Sequence, residues 1–190
     1  MEEIDGIIEK AVEEFKFHYE QDRNKLPALH KGEKNPFEYF PPEFWAESDI
    51  QCWFRDWFTK QLAPKGIIVH TEVIIDNSIF DNIRLAKLNR TVIEKWKVDL
   101  AAFPADFEAG TANGKASFLA EFKYVTNYRS SVDKDIDVEI ERIEQAIELG
   151  LTESCLVLAV YESRSAGTLR RYPRIISRFP TLHVEKLEIT

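Results

Sequence analysis

Apolar side chains recur at helical spacing near the start of the chain. Ile4, Ile7, Ile8, Ala11, Val12 and Phe15 fall on one stripe and predict an amphipathic helix over residues 3–22. Pro27, Gly32, Pro36, Pro41 and Pro42 then interrupt any periodicity, so residues 23–42 read as an irregular linker. This divides the chain into residues 1–42, a helix and linker, and a main domain over 43–190 with a basic tail. A second helix is predicted over 47–62, with Ser48 as N-cap and Gln51 completing a capping box. Its apolar face is Ile50, Trp53, Phe54, Trp57 and Phe58, and Pro64 and Gly66 end it.

From there the period changes. Residues 67–75 are β-branched and read as a strand, while 77–90 read as a short helix or loop. Residues 92–103 form a second strand, 104–115 a turn-rich link with Gly110, Asn113 and Gly114, and 116–125 a third strand. Residues 133–149 carry Ile136, Ile140, Ile143 and Ile147 on one stripe, with Gly150 as a C-terminal stop. Residues 154–161 form an unbroken apolar run, the pattern of a strand buried on both faces. A helix around 168–178 and a short strand near 182–189 complete the reading. This order predicts an α/β fold with a mixed sheet flanked by helices.

Composition narrows the picture modestly. The chain has 190 residues, 44% apolar and 31% charged, ordinary values for one globular domain. Cys52 and Cys155 stand far apart and in no metal-ligand spacing, so both are expected to be buried thiols in a reducing compartment. The acidic start has the wrong sign for a leader, and no apolar run approaches the ~20 residues of a membrane span. A soluble, cytoplasmic protein is expected. The net charge of −8 argues against electrostatic coating of nucleic acid. That average hides a basic stretch over 164–178, with Arg164, Arg170, Arg171, Arg174 and Arg178 and no acid, and a second over 84–97. Such strips suit a phosphate-backbone partner or, equally, a solvated face. His70 and His183 lack zinc-type neighbours and read as structural; Trp45, Trp53 and Trp57 read as core. No P-loop, dinucleotide fingerprint or nucleophile elbow is present.

The informative segment is Phe118-Leu119-Ala120-Glu121-Phe122-Lys123-Tyr124-Val125. Alternation along a strand puts Phe118, Ala120, Phe122 and Tyr124 on one face, and Glu121 and Lys123 together on the other. If 98–125 form a hairpin centred near Gly110, Asp99 lies opposite Glu121. Two opposed carboxylates repel and hold one proton between them, a conflict that a divalent cation removes. Two carboxylates, a backbone carbonyl and waters make a shell for Mg²⁺ or Mn²⁺, with Asp99 and Glu121 as ligands. Lys123 is then placed to orient or deprotonate a water, or to stabilise charge on phosphorus. The plain reading of the same residues is a solvent-facing Glu121–Lys123 pair and a lone Asp99 accepting backbone hydrogen bonds.

Val98-Asp99-Leu100, a loop, then Glu121-Phe122-Lys123 resembles the motif of the PD-(D/E)XK, or restriction-endonuclease-like, nucleases, with Val98 where the family name has proline. The resemblance covers residues 47–161 and implies an αβββαβ core carrying the motif on its second and third strands. It further implies Mg²⁺- or Mn²⁺-dependent hydrolysis of DNA phosphodiester bonds by metal-activated water. Asp99, Glu121, Lys123 and Glu47 are the catalytic set it points to, with Glu47 near the start of the helix before the first strand. Glu47 also suits the helix dipole simply as a first-turn acid. Gln145 on the following helix and the arginines of 164–178 are the expected nucleic-acid contacts; Glu72 is an alternative acidic ligand ranked below Glu47. Cutting both strands of a duplex needs two sites, so a homodimer is one expectation, with the N-terminal helix either as its contact or packed on its own domain. A non-catalytic binding or assembly module of the same fold, and an RNA-directed nuclease, are the alternatives.

Overall fold

The computed structural model describes residues 2–30, 46–76, 78–80, 85, 96–125, 130–162 and 182–189. Helix α1 (Glu2–His30) and helix α2 (Glu47–Leu62) come first, followed by one 3₁₀ turn. Three strands follow, β1 (Ile67–Ile74), β2 (Lys97–Pro104) and β3 (Ala116–Val125), then helix α3 (Ser130–Glu148), β4 (Thr152–Glu162) and β5 (Leu182–Ile189). All five strands join one sheet in the order β1-β2-β3-β4-β5. The first three form an antiparallel meander, whereas β3–β4 and β4–β5 are parallel. The chain is thus α/β with a mixed sheet flanked by helices.

The two faces of the sheet bury different layers. α1 and α2 cover one, where Ile8, Phe15, Phe54, Phe58, Phe118, Phe122 and Leu158 form a continuous core. α3 covers the other through Ile136, Ile140, Ile143 and Ala146, against Leu119, Cys155 and Val157. β3 and β4 lie between both layers, and β4 is apolar on both sides as its sequence predicts. α3 ends in a Schellman motif: Gly150 takes φ +65° and the Leu151 amide donates to the Ala146 carbonyl at 2.9 Å. No described helix is long and apolar enough to cross a membrane.

Several boundaries depart from the sequence reading. α1 does not stop at residue 22 but runs through Pro27 to His30. The good helix formers Lys25, Leu26, Ala28 and Leu29 flank that proline, and one lost hydrogen bond does not end a long helix. The apolar stripe of α1 packs on its own sheet and on α2. α2 begins one residue before the expected cap. Ala46 is the N-cap and the Asp49 carboxylate accepts its amide at 2.8 Å, which frees Gln51 from any capping role. Cys52 lies exposed on the outer side of α2 rather than buried. His70 is exposed, its ring near Phe103. The expected helix at 168–178 and Trp45 lie outside the described residues.

One backbone feature bears on the site. Glu72 adopts φ +55° in the middle of β1, in the left-handed region that a side chain disfavours. The β1–β2 ladder pairs Thr71 with Leu100 and Val73 with Val98, so Glu72 faces Asp99. The strands change face there. Val69 and Leu100 pack with α2, whereas Val73 and Val98 pack with the α3 layer. Glu72 turns outward to Lys97 at 3.0 Å and is not drawn to Asp99. Glu72→Gly should therefore keep or raise stability, by up to about 1 kcal/mol, and Glu72→Val should cost more than that. Chemical denaturation of the two variants checks the order; equal losses would show that the left-handed residue carries no strain.

Candidate active site

The β2–β3 ladder runs through Ala102–Phe118, Ala101–Leu119 and Leu100–Ala120. One step further, Asp99 and Glu121 stand opposite one another, in the register that the hairpin parity predicts. There the backbone ladder gives way to side chains. The Phe122 amide donates to Asp99 Oδ2 at 2.8 Å. Gln51, one turn after Glu47 on α2, donates its Nε2–H to Asp99 Oδ1 at 2.7 Å. Both oxygens of Asp99 thus accept N–H donors, the arrangement of an ionised carboxylate.

Glu121 is 2% exposed and sits against the α3 layer. Trp96, itself wholly buried just before β2, donates its indole N–H to Glu121 Oε1 at 2.6 Å. An indole only donates, so Glu121 Oε1 accepts. Glu121 and Asp99 lie close enough for each to act on the charge of the other. Burial, and then the charge of Asp99, pushes the Glu121 carboxyl well above its ordinary range. Burial likewise raises Asp99, with the Phe122 amide and Lys123 opposing it. Of the two, Glu121 is the carboxyl whose neutral form its surroundings favour more.

Lys123 does not pair with Glu121 on an open face, as the plain reading had it. Its Nζ lies 3.4 Å from Glu47 Oε1, while Glu47 Oε2 lies 3.4 Å from the Tyr124 amide. Burial alone would pull the lysine's pKa down. The carboxylates of Glu47, Asp99, Glu139 and Glu121 outweigh it and hold the pKa above the usual lysine value. Lys123 is therefore a fixed cation and a poor general base. Glu47 stands where the sequence puts it, at the first turn of α2. Gln145 donates to Glu141 on its own helix, at 3.3 Å. The α3 residue whose charge acts on Glu121 and Lys123 is instead Glu139, held by Arg142 at 3.0 Å. Arg164, Arg170, Arg171, Arg174 and Arg178 lie outside the described residues.

The donor set can be matched to a cation. Among the described residues no group of three or more His, Cys, Asp or Glu side chains is arranged to hold a metal. A site made of two carboxyls and little else suits an ion that keeps several waters, which is the habit of Mg²⁺, and not a Zn²⁺ or Ca²⁺ cage. A divalent charge between Asp99 and Glu121 would offset the negative charge that burial disfavours, so the carboxyl pair fits the group.

Trp96 and Glu139 were not singled out from the sequence, and Gln51 was read there only as part of a capping box. Gln51 reads as a capping residue until the helix start is known. Trp96 gave one usable signal: a tryptophan entering a buried strand needs an acceptor for its N–H. Compared with protein-family models, with curated proteins and with solved structures, the chain gives no match.

The raised carboxyl has a sign for stability. A group whose pKa is higher folded than unfolded stabilises the fold in acid, and that contribution is lost as pH rises through the folded value. Glu121→Gln imitates the neutral acid: its carbonyl accepts from Trp96. In chelator at pH 8 the variant should be more stable than wild type by about 1 kcal/mol, roughly 2–4 °C. Its advantage should vanish near pH 5. Thermal melts at the two pH values decide the matter, and parallel slopes for both proteins would count against the neutral acid.

Proposed function

We propose that the chain is a metal-dependent phosphodiesterase of nucleic acid, DNA foremost, built on a restriction-endonuclease-like αβββαβ core. The order of elements from α2 to β4 supports that core. The observation that carries the reading is the meeting of Asp99, Glu121 and a permanently charged Lys123 where the β2–β3 ladder opens, with Glu47 against the lysine.

In this reading Asp99 and Glu121 hold a Mg²⁺ or Mn²⁺ ion through lone pairs left by Gln51, Phe122 and Trp96. When bound, such an ion polarises a phosphoryl oxygen and makes water more acidic. Lys123, kept cationic by its neighbours, stabilises the negative charge that grows on the phosphate oxygens. Glu47 fixes the direction of the lysine and is a candidate to receive a proton from an attacking water or to add a ligand. Arg164, Arg170, Arg171, Arg174 and Arg178 would supply backbone phosphate contacts, which a chain of net charge −8 needs locally.

The acidic net charge and the occupation of Lys123 by Glu47 favour the second reading, a binding module without turnover. Nicking of supercoiled plasmid in Mg²⁺ and in Mn²⁺, with single-stranded DNA and RNA alongside, separates the two. Wild type should cleave in a cation-dependent way. Asp99→Asn and Lys123→Met should each lose about 100-fold or more in rate. Cleavage that survives both substitutions, or a folded wild type that binds nucleic acid and never cuts, would remove the nuclease reading.

A further inference from the structure

We infer that Gln51 and Trp96 are positioning residues for a hard divalent cation, one side-chain N–H donor for each carboxyl of the site. The inference rests on the metal-site reading above and assigns it two residues that the motif does not contain.

The geometry is specific. Gln51 Nε2 meets Asp99 Oδ1 at 2.7 Å and Trp96 Nε1 meets Glu121 Oε1 at 2.6 Å. The two donors come from different parts of the chain, Gln51 from α2 and Trp96 from the residue before β2. Gln51 shares a face of α2 with Glu47, four residues earlier, so one helix presents a residue to Lys123 and a residue to Asp99. Trp96 is locked by the core around Ile75 and Phe80, and its own carbonyl accepts the Ile75 amide at 2.8 Å. Each donor occupies one oxygen of its carboxyl, and a cation between the two would use the lone pairs that Gln51, Phe122 and Trp96 leave over.

Stability alone does not account for this pattern. A phenylalanine at position 96 would fill most of the same volume without an N–H to satisfy. A leucine at 51 would avoid burying an amide beside a carboxylate. Each polar donor makes sense as part of the orientation of its carboxyl, since outer N–H partners commonly tune metal ligands.

The test is Mn²⁺ binding to the full chain by calorimetry, with circular dichroism as the check on folding. Wild type should bind Mn²⁺. Gln51→Leu and Trp96→Phe should remain folded and each bind about 10- to 100-fold more weakly. Gln51→His, which keeps an N–H donor of similar reach, should recover much of the loss. Should a variant fail to fold, the Trp96 indole N–H resonance of wild type gives an independent reading. It should move as Mg²⁺ is titrated in, and a resonance that stays still would overturn the role of Trp96. Wild-type binding with both variants within twofold of it would overturn the positioning inference and leave the metal site standing. Absence of any Mn²⁺ binding by folded wild type would bring down the site and the inference together.

Discussion

β3 is buried on both faces, and the rest of the structure follows from that constraint. Phe118, Ala120 and Phe122 point into the α1–α2 layer, and Leu119 points into the α3 layer. From Ala116 to Phe122 the strand has no solvent side on which to place a charge. Glu121 is nonetheless in its middle, and an isolated carboxylate there would be strongly unfavourable. The fold meets the difficulty with an indole donor and with surroundings that favour the neutral acid. It thereby creates a small polar island between two apolar layers. Removing one member without its partner would leave an unmatched buried group, which is why such an island is either complete or costly.

The island is aligned by aromatic packing several residues away. Phe54 stacks on Phe122 with ring centres 4.9 Å apart, and Phe58 packs on Phe118 at 4.8 Å. These two contacts fix how far α2 has slid along β3 and how it is rotated. Glu47 and Gln51 occupy the turns just before Phe54, so the same contacts deliver them to Lys123 and Asp99. Local polar geometry here is inherited from core volume. A helix packed one residue out of register would bring neither side chain to its partner.

Much of the fold was legible because its signals are periodic. The Ile136, Ile140, Ile143 stripe marks α3, the β-branched run marks β1, and the apolar run at 154–161 marks β4 with its burial on two faces. The hairpin register was legible once its centre was placed at Gly110, since a ladder that pairs Leu100 with Ala120 brings Asp99 to Glu121. What could not be read was the partner of each charged group. Alternation along β3 puts Glu121 and Lys123 on one side and invites pairing them. In the structure the lysine goes to Glu47 and the glutamate to Trp96, across contacts that no local pattern encodes. Cap assignment failed for a related reason. Ser48 and Gln51 have the composition of a capping box, but α2 starts earlier, where Ala46 and Asp49 serve.

The two cysteines turn out to inhabit opposite environments. Cys52 is exposed on α2, next in sequence to Gln51, while Cys155 is wholly buried in β4 and its burial pushes the thiol well above its ordinary pKa. The chain has no other cysteine. A thiol reagent added to the native protein therefore marks one place, the outer side of the helix that carries Glu47 and Gln51. The second thiol becomes reactive only when the sheet itself opens. The sequence thus contains, without alteration, an attachment point for a probe beside the site and an internal gauge of how often the core comes apart.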